Sequence, residues 1–114
     1  MELSLERQDG RAICERCLLA ETPLARLKGL LGRGGLERGE GLLLRPASSI
    51  HTFFMRFPID AVFLDQDLRV LRIRPELRPW QMAGRRGANA VLELPAGQCA
   101  ERGLEPGDRL VTSA

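Results

Sequence analysis

The first residues of the chain alternate between hydrophobic and polar, and the pattern predicts a β-hairpin. Leu3 and Leu5 stand between polar residues, the turn signal Asp9-Gly10 follows, and a second apolar stretch occupies residues 12–19. Alternation presents one side of each strand to a core, and Asp-Gly favours the tight turn between two antiparallel strands. We therefore expect the chain to begin with two paired strands.

The hydrophobic spacing then changes to that of a helix. Thr22 is a residue that caps a helix N-terminus, and Pro23 suits the first turn. Leucines follow at helical spacing until the glycine-rich residues 32–35. This predicts one short amphipathic helix, and a second short helix is predicted over residues 96–102, closed by Gly103.

Short apolar segments separated by turn-forming residues occupy most of the chain from Gly41 onward. The predicted strands cover residues 42–45, 50–55, 61–64, 68–74, 91–94 and 109–112. Several short strands divided by turns are typical of a β-sandwich or barrel. The expected fold is mostly β, a single small sandwich-like or barrel-like domain over residues 1–114 with one or two short helices.

Composition narrows the class of protein further. The 114 residues are 44% hydrophobic and 28% charged, which excludes a disordered tail and a fibrous rod. No apolar run approaches the roughly 18 residues that a membrane span needs, and the acidic start lacks the apolar core of a signal peptide. A soluble, cytoplasmic protein without a membrane partner is expected.

Positive charge is concentrated in residues 69–86, which hold six arginines and one acid, Glu76. Strand alternation places Arg72 and Arg74 on one face together with Val70. Such a stripe is typical of a surface that binds anions or nucleic acid. Only one aromatic residue lies in this segment, however, so nucleic acid is a disfavoured partner.

Three cysteines, Cys14, Cys17 and Cys99, form an odd number, and no disulfide framework is expected. Cys14 and Cys17 lie in a predicted strand, where residues three apart face opposite ways unless a bulge intervenes. A zinc site would also need Cys99 and His51 as ligands. We therefore expect packing roles for the cysteines, no metal and no cofactor.

Several blocks along the chain carry a family resemblance. Residues 49–65, SIHTFFMRFPIDAVFLD, resemble the prokaryotic domain of unknown function 192 family, and further matching blocks lie within residues 17–112. These blocks are LKGLLGR, GLLL, VLELPAG and GLEPGD. The resemblance implies a small, mostly β fold with a helix packed on it, and no assigned reaction. Family members often have Trp-Met-x-Asn-Thr where this chain reads FMRFP, so roles of that Asn and Thr do not transfer.

Five residues are candidates for a ligand-binding site. His51 is the sole histidine, and as a general base it would need Asp60 or Glu93 to orient it. Glu93 lies inside an otherwise apolar strand, where a carboxylate needs a partner such as Arg33 or Arg56. Each residue also has a structural interpretation. His51 would be hydrogen-bonded to the backbone, Asp60 would cap a turn, and Glu93 would form a buried ion pair with an arginine.

Three functions follow from these candidates. The leading hypothesis is a non-catalytic binding module that presents a polar pocket of His51, Asp60, Glu93 and an arginine to a small ligand or a protein partner. The alternative is a small hydrolase or lyase using His51 with Asp60 or Glu93, although no catalytic residue is assigned. The second alternative is an arginine-rich surface, formed by residues 69–86, that binds anions or nucleic acid. The irregular residues 75–87, which contain the single tryptophan, Trp80, are a candidate functional loop.

Overall fold

The computed structural model of the chain describes residues 2–113, apart from the side chain of Leu27, which belongs to the predicted leucine pattern. Met1 and Ala114 lie outside the described residues. In chain order the elements are β1 (Glu2–Arg7), β2 (Ala12–Ala20), α1 (Pro23–Lys28), β3 (Glu40–Leu44), β4 (Ser49–His51), β5 (Ile59–Leu64), β6 (Val70–Leu77), β7 (Met82–Gly84), β8 (Ala90–Pro95), α2 (Gln98–Arg102) and β9 (Leu110–Ser113). The expectation of a mostly β fold with one or two short helices is confirmed, and there are two within residues 2–113.

Seven strands form one sheet in the order β6-β5-β8-β3-β2-β1-β9. Neighbours are antiparallel except β2 and β3, which are parallel and joined by a crossover connection that contains α1. The two edges approach each other: the amide of Val70 donates to the carbonyl of Asp108 at 2.7 Å, and that of Leu110 to Leu68 at 2.9 Å. The sheet is therefore curled into a barrel-like shape, with β4 and β7 forming a separate two-stranded sheet.

The curled sheet has an inner and an outer apolar layer. The inner layer fills the concave side and includes Leu43, Val62 and Leu92 from the three central strands. The outer layer includes Leu42, Phe63 and Val91 from the same strands, covered by the segment after α1 and by residues of the β4–β7 sheet. Because side chains alternate along β8, Glu93 faces the outer layer with Val91.

Both helices are short. The Oγ1 atom of Thr22 accepts a hydrogen bond from the amide of Ala25 at 3.1 Å, which confirms the predicted cap of α1. The helix ends at Lys28, before the glycine-rich segment, because Gly29 adopts a positive φ of 48°. With six and five residues, α1 and α2 are far too short to cross a membrane, and no other helix occurs in residues 2–113.

Two predicted strand patterns are changed by bulges. Leu64 pairs with Val70 while Phe63 pairs with Arg72, so β6 carries one extra residue at Leu71. The bulge turns Val70 into the inner layer, and the prediction that Val70 shares a face with the arginines is wrong.

A second irregularity brings two cysteines onto one side of β2. Leu3 pairs with Cys17 and Leu5 with Cys14, so three residues of β2 advance against two of β1. Both thiols enter the inner layer and are free and buried. Their side-chain hydrogen bond lowers the pKa of Cys14 and, together with burial, raises the pKa of Cys17.

The strand predicted over residues 50–55 ends at His51, so the prediction for residues 52–55 is wrong. The amide of Thr52 donates to the carbonyl of Gln81, and Thr52 Oγ1 donates to that of Arg78. The first bond continues the register of the β4–β7 pairing, but the carbonyl of Thr52 accepts from the amide of Trp80 instead of that of Gln81. The ladder therefore ends there, and Phe54 then adopts a positive φ of 66°. The stretch predicted as irregular, residues 75–87, contains the end of β6 and all of β7.

Gly41→Ala is expected to destabilise the protein. A Cβ at Gly41 would lie 2.8 Å from the Cys14 sulfur, 2.9 Å from Leu94 Cδ2 and 3.0 Å from the Glu93 backbone oxygen. Overpacking of this kind costs about 1–3 kcal/mol in the free energy of unfolding, measured by urea denaturation. Gly35→Ala, with no atom within 4 Å of its Cβ, is the control and should change stability by less than about 0.5 kcal/mol. Equal effects of the two would contradict the packing described.

Candidate functional site

A cleft of about 390 Å³ opens in the outer layer, between the α1 segment and the chain around β4. Its apolar walls include Leu30, Leu31, Leu44, Ile50 and Met55. Polar side chains contribute to its lining, namely Arg26, Lys28, Ser48, Ser49, His51 and Glu93. The cleft exists because the short helix and the three-residue strand cover the outer face of the large sheet incompletely.

Glu93 is the buried polar group of this cleft. It pairs with Leu42 on one side and Ala61 on the other, so its backbone stands in the middle of the sheet. The residue is 4% exposed. Within residues 2–113 no side-chain hydrogen bond or ion pair reaches its carboxyl group, and burial alone raises its pKa to about 8. The carboxyl is therefore largely protonated at neutral pH.

His51 lines the same cleft from the last position of β4. His51 is exposed. Its Nδ1 accepts a hydrogen bond from the amide of Phe53 at 3.3 Å, and the two rings stack with centroids 4.8 Å apart. His51 and Glu93, two of the four groups that the leading hypothesis joins in one pocket, thus share a cavity without a hydrogen bond between them.

Asp60 lies elsewhere and has a complete set of partners. It is fully buried, and Oδ1 accepts from the amides of Glu76 at 2.9 Å and Gly97 at 3.0 Å, while Oδ2 accepts from that of Cys99 at 3.0 Å. The carboxylate holds β6 and the start of α2 against β5. This is the capping role that the sequence left open as an alternative to ligand binding.

The two candidate arginines do not meet Glu93. Arg33 forms an ion pair with Glu40 at 3.6 Å, and both line a separate small depression. Arg56 is exposed, in the turn that follows Met55. The bidentate arginine partner expected for Glu93 is not present in residues 2–113.

The cations that do line the cleft, Arg26 and Lys28, were missed by the sequence analysis. Both belong to α1, which lies far from β8 along the chain. Two basic residues near the end of a helix are ordinary, since they interact favourably with its C-terminus. Only the packing of α1 over the outer face connects them with Glu93.

The chemistry of the cleft follows from the protonation of Glu93. A protonated carboxyl donates one hydrogen bond and accepts others, whereas an ionised one only accepts. A neutral ligand group that both accepts and donates therefore fits the protonated form. A cationic group would draw the pKa of Glu93 down and bind the ionised form.

Comparison with known proteins gives a consistent family signal. A model of the family DUF192, described as Uncharacterized ACR, matches residues 5–112. A UPF0127 protein of Thermococcus sibiricus is 29% identical over 93% of this chain and 71% of its own length. A crystal structure of a protein of unknown function from Novosphingobium aromaticivorans superposes with a TM-score of 0.83 at 27% identity, over 97% of this chain and 84% of the other. One from Sinorhizobium meliloti, provisionally described as a transcription regulator, gives 0.85 at 26% identity, over 97% and 92%.

Asp60→Ala should destabilise the fold strongly. The substitution leaves three backbone amides without their acceptor, and stability is expected to fall by about 3 kcal/mol or more in urea denaturation. Asp67→Ala, at an exposed aspartate, is the matched control, and its free energy of unfolding should fall by less than about 0.5 kcal/mol. A stable Asp60→Ala protein would remove the structural role assigned to this carboxylate.

Glu93→Gln should change how stability depends on pH. The folded chain keeps the Glu93 proton up to a pH of about 8, whereas the unfolded chain releases it near the ordinary value of 4.5. The folded state therefore binds more protons between these values, and wild-type stability falls as pH rises through that window, by up to roughly 1.4 kcal/mol per pH unit. Glu93→Gln removes this contribution, so its stability relative to wild type rises from pH 4.5 to 8.

Urea denaturation at a series of pH values measures this difference. Glu76→Gln, the same change at an exposed position, is the control and should follow the wild-type profile. Parallel profiles for wild type and Glu93→Gln would show that the carboxyl is not held protonated by burial.

Proposed function

The chain belongs to the domain of unknown function 192 family, and from that premise we propose that it is a non-catalytic binding module that takes a small ligand into the cleft at Glu93. His51 contributes to the same cleft. Asp60, Arg33 and Arg56, which the sequence grouped with these two, have no part in the proposed site.

One observation carries the proposal: Glu93, a residue that is only 4% exposed, lines an open cleft, and its carboxyl group has no hydrogen-bond partner in residues 2–113. Burying a polar group without a partner costs free energy, and folded proteins nearly always avoid it. Exceptions concentrate at functional sites, where a ligand completes the missing bonds. A ligand donor at Glu93 accounts for the position of this side chain.

The lining of the cleft describes the ligand. Its volume of about 390 Å³ lies within the range of small-molecule sites. A fitting molecule has an N–H or O–H donor for Glu93 and an apolar body for Leu44, Ile50 and Met55. A polar or anionic end suits Arg26 and Lys28.

An enzyme is the second candidate, and the pKa of Glu93 favours it. A carboxyl whose pKa is about 8 exchanges protons near neutral pH, as a general acid or base must. His51 would be its partner in a small hydrolase or lyase. Release of a chemically altered ligand, detected by mass spectrometry, would distinguish this function from binding alone.

The proposal also treats residues 1–114 as one domain that works in the cytoplasm. A single domain is supported because the two apolar layers lie on opposite faces of the same central strands, so neither layer forms without the other. The three cysteines are free thiols, the state that the cytoplasm maintains.

Binding can be tested with a panel of small primary amines, guanidines, amides and alcohols that carry short apolar groups. We expect at least one class to shift the amide NMR signals of Leu44, Ile50 and Met55. Glu93→Leu should weaken that binding about tenfold or more, because it removes the buried hydrogen-bonding group. Glu93→Gln should retain amide binding better than amine binding, because it keeps donors and acceptors but loses the charge.

Glu76→Gln is again the matched control and should bind as the wild type does. If no class binds, or if Glu93→Leu binds as well as wild type, the cleft is not the proposed site.

A further inference from the structure

We propose that a second surface of this protein, independent of Glu93, binds single-stranded nucleic acid. The surface is an aromatic platform formed by Phe53, Phe54 and Trp80, with His51, which also lines the cleft, at the end where the two surfaces adjoin. It belongs to the turns beside the small β4–β7 sheet, and it goes beyond the small-ligand function proposed above.

The rings of the platform form a series and remain open to solvent. The His51 and Phe53 rings stack at 4.8 Å and an interplanar angle of 25°, and the Phe53 and Trp80 rings at 5.9 Å and 27°. Phe54 meets Trp80 at 4.6 Å with a tilt of 60°. Phe54 is 69% and Trp80 60% exposed, although aromatic rings normally contribute to stability by being buried.

The platform is assembled before any partner arrives. Thr52 is fully buried, and its Oγ1 donates to the carbonyl of Arg78 and accepts from the amide of Gln81 at 2.9 Å. Its backbone carbonyl accepts from the amide of Trp80 at 3.0 Å. One side chain thus joins the turn that carries Phe53 and Phe54 to the turn that carries Trp80.

Both exposed aromatics are held in strained backbone. Phe54 has a φ of 66° and Trp80 a φ of 67°, in the left-handed region that bulky residues rarely adopt. Their exposure means that little burial offsets this strain. Strained residues of this kind cluster at functional sites, and here both strained residues carry exposed rings.

The chain around the platform is positively charged. Residues 41–59 and 77–92, which supply β4, β7 and both turns, contain no Asp or Glu. Of their five arginines, Arg45 pairs with Glu21, and the other four form no ion pair within residues 2–113. These four are Arg56, Arg78, Arg85 and Arg86. Two acids flank the second segment directly: Glu76, which is exposed, and Glu93, which is buried in the cleft.

Charge and ring geometry together identify the partner. Single-stranded nucleic acid combines planar bases, which stack on aromatic rings, with phosphates, which attract arginines. The sequence disfavoured this partner because one aromatic residue lies among the arginines. Pairing of β4 with β7 brings two phenylalanines beside that tryptophan. The arginines therefore lie near several aromatic rings in the chain, and nucleic acid is no longer disfavoured on that ground.

Fluorescence anisotropy with labelled oligo(dT) and oligo(rU) of about twelve nucleotides tests the proposal in the full chain. Binding is expected at about 50 mM salt and should weaken steeply towards about 200 mM. Trp80→Ala and Phe54→Ala should each weaken it about fivefold or more, the usual effect of removing one stacking ring. Arg78→Gln should reduce the slope of log affinity against log salt by about 0.7.

Matched controls lie outside the platform. Val111→Ala shortens another exposed hydrophobic side chain, and Arg16→Gln removes one charge from an exposed arginine, so both should bind as wild type. Glu93→Gln should also bind as wild type, which separates this surface from the small-ligand cleft.

Phe54→Gly distinguishes a binding role from a structural one. Glycine adopts a positive φ without strain, so this variant should keep or raise the Tm. Oligonucleotide binding should nevertheless fall, because the ring is removed. The proposal is overturned if wild type does not bind at low salt, or if platform and control variants bind alike. It is equally overturned if the platform variants lose binding to anionic phospholipid vesicles while no oligonucleotide is bound.

Discussion

Burial of both faces of the central strands is the constraint on which the rest of this structure depends. β3, β5 and β8 contribute to two apolar layers, and water must be kept from each. The sheet covers its inner face by curling until β6 and β9 meet. Within residues 2–113 the outer face is covered by a six-residue helix, its following segment, two three-residue strands and the loops beside them. That cover is sufficient for packing but leaves a cleft, and the cleft contains Glu93.

Two buried carboxyl groups on adjacent strands show how differently the fold treats the same chemistry. Asp60 accepts three backbone hydrogen bonds, whereas Glu93 receives none from residues 2–113. The hydrogen bonds of Asp60 hold the architecture together, whereas the hydrogen-bonding capacity of Glu93 is not used by residues 2–113. This contrast separates candidates that the sequence had to group together.

Local patterns in the sequence predict much of the fold and part of the site. The first hairpin, the cap at Thr22 and the inward or outward direction of residues on β8 all follow from alternation and turn chemistry. The bulge at Leu71 and the early end of β4 do not, because each depends on a partner strand or on hydrogen bonds to distant residues. For the same reason the partners of Asp60, and the meeting of α1 with Glu93, could not be predicted from spacing.

The parallel pairing of β2 with β3 has a consequence for the cleft. Parallel neighbours require a long connection, and here that connection carries α1 and with it one wall of the cleft. Surface connections tolerate insertion and substitution better than the strands they join. A change in the length or sequence of this connection would therefore reshape one wall of the cleft and leave in place the strand that carries Glu93.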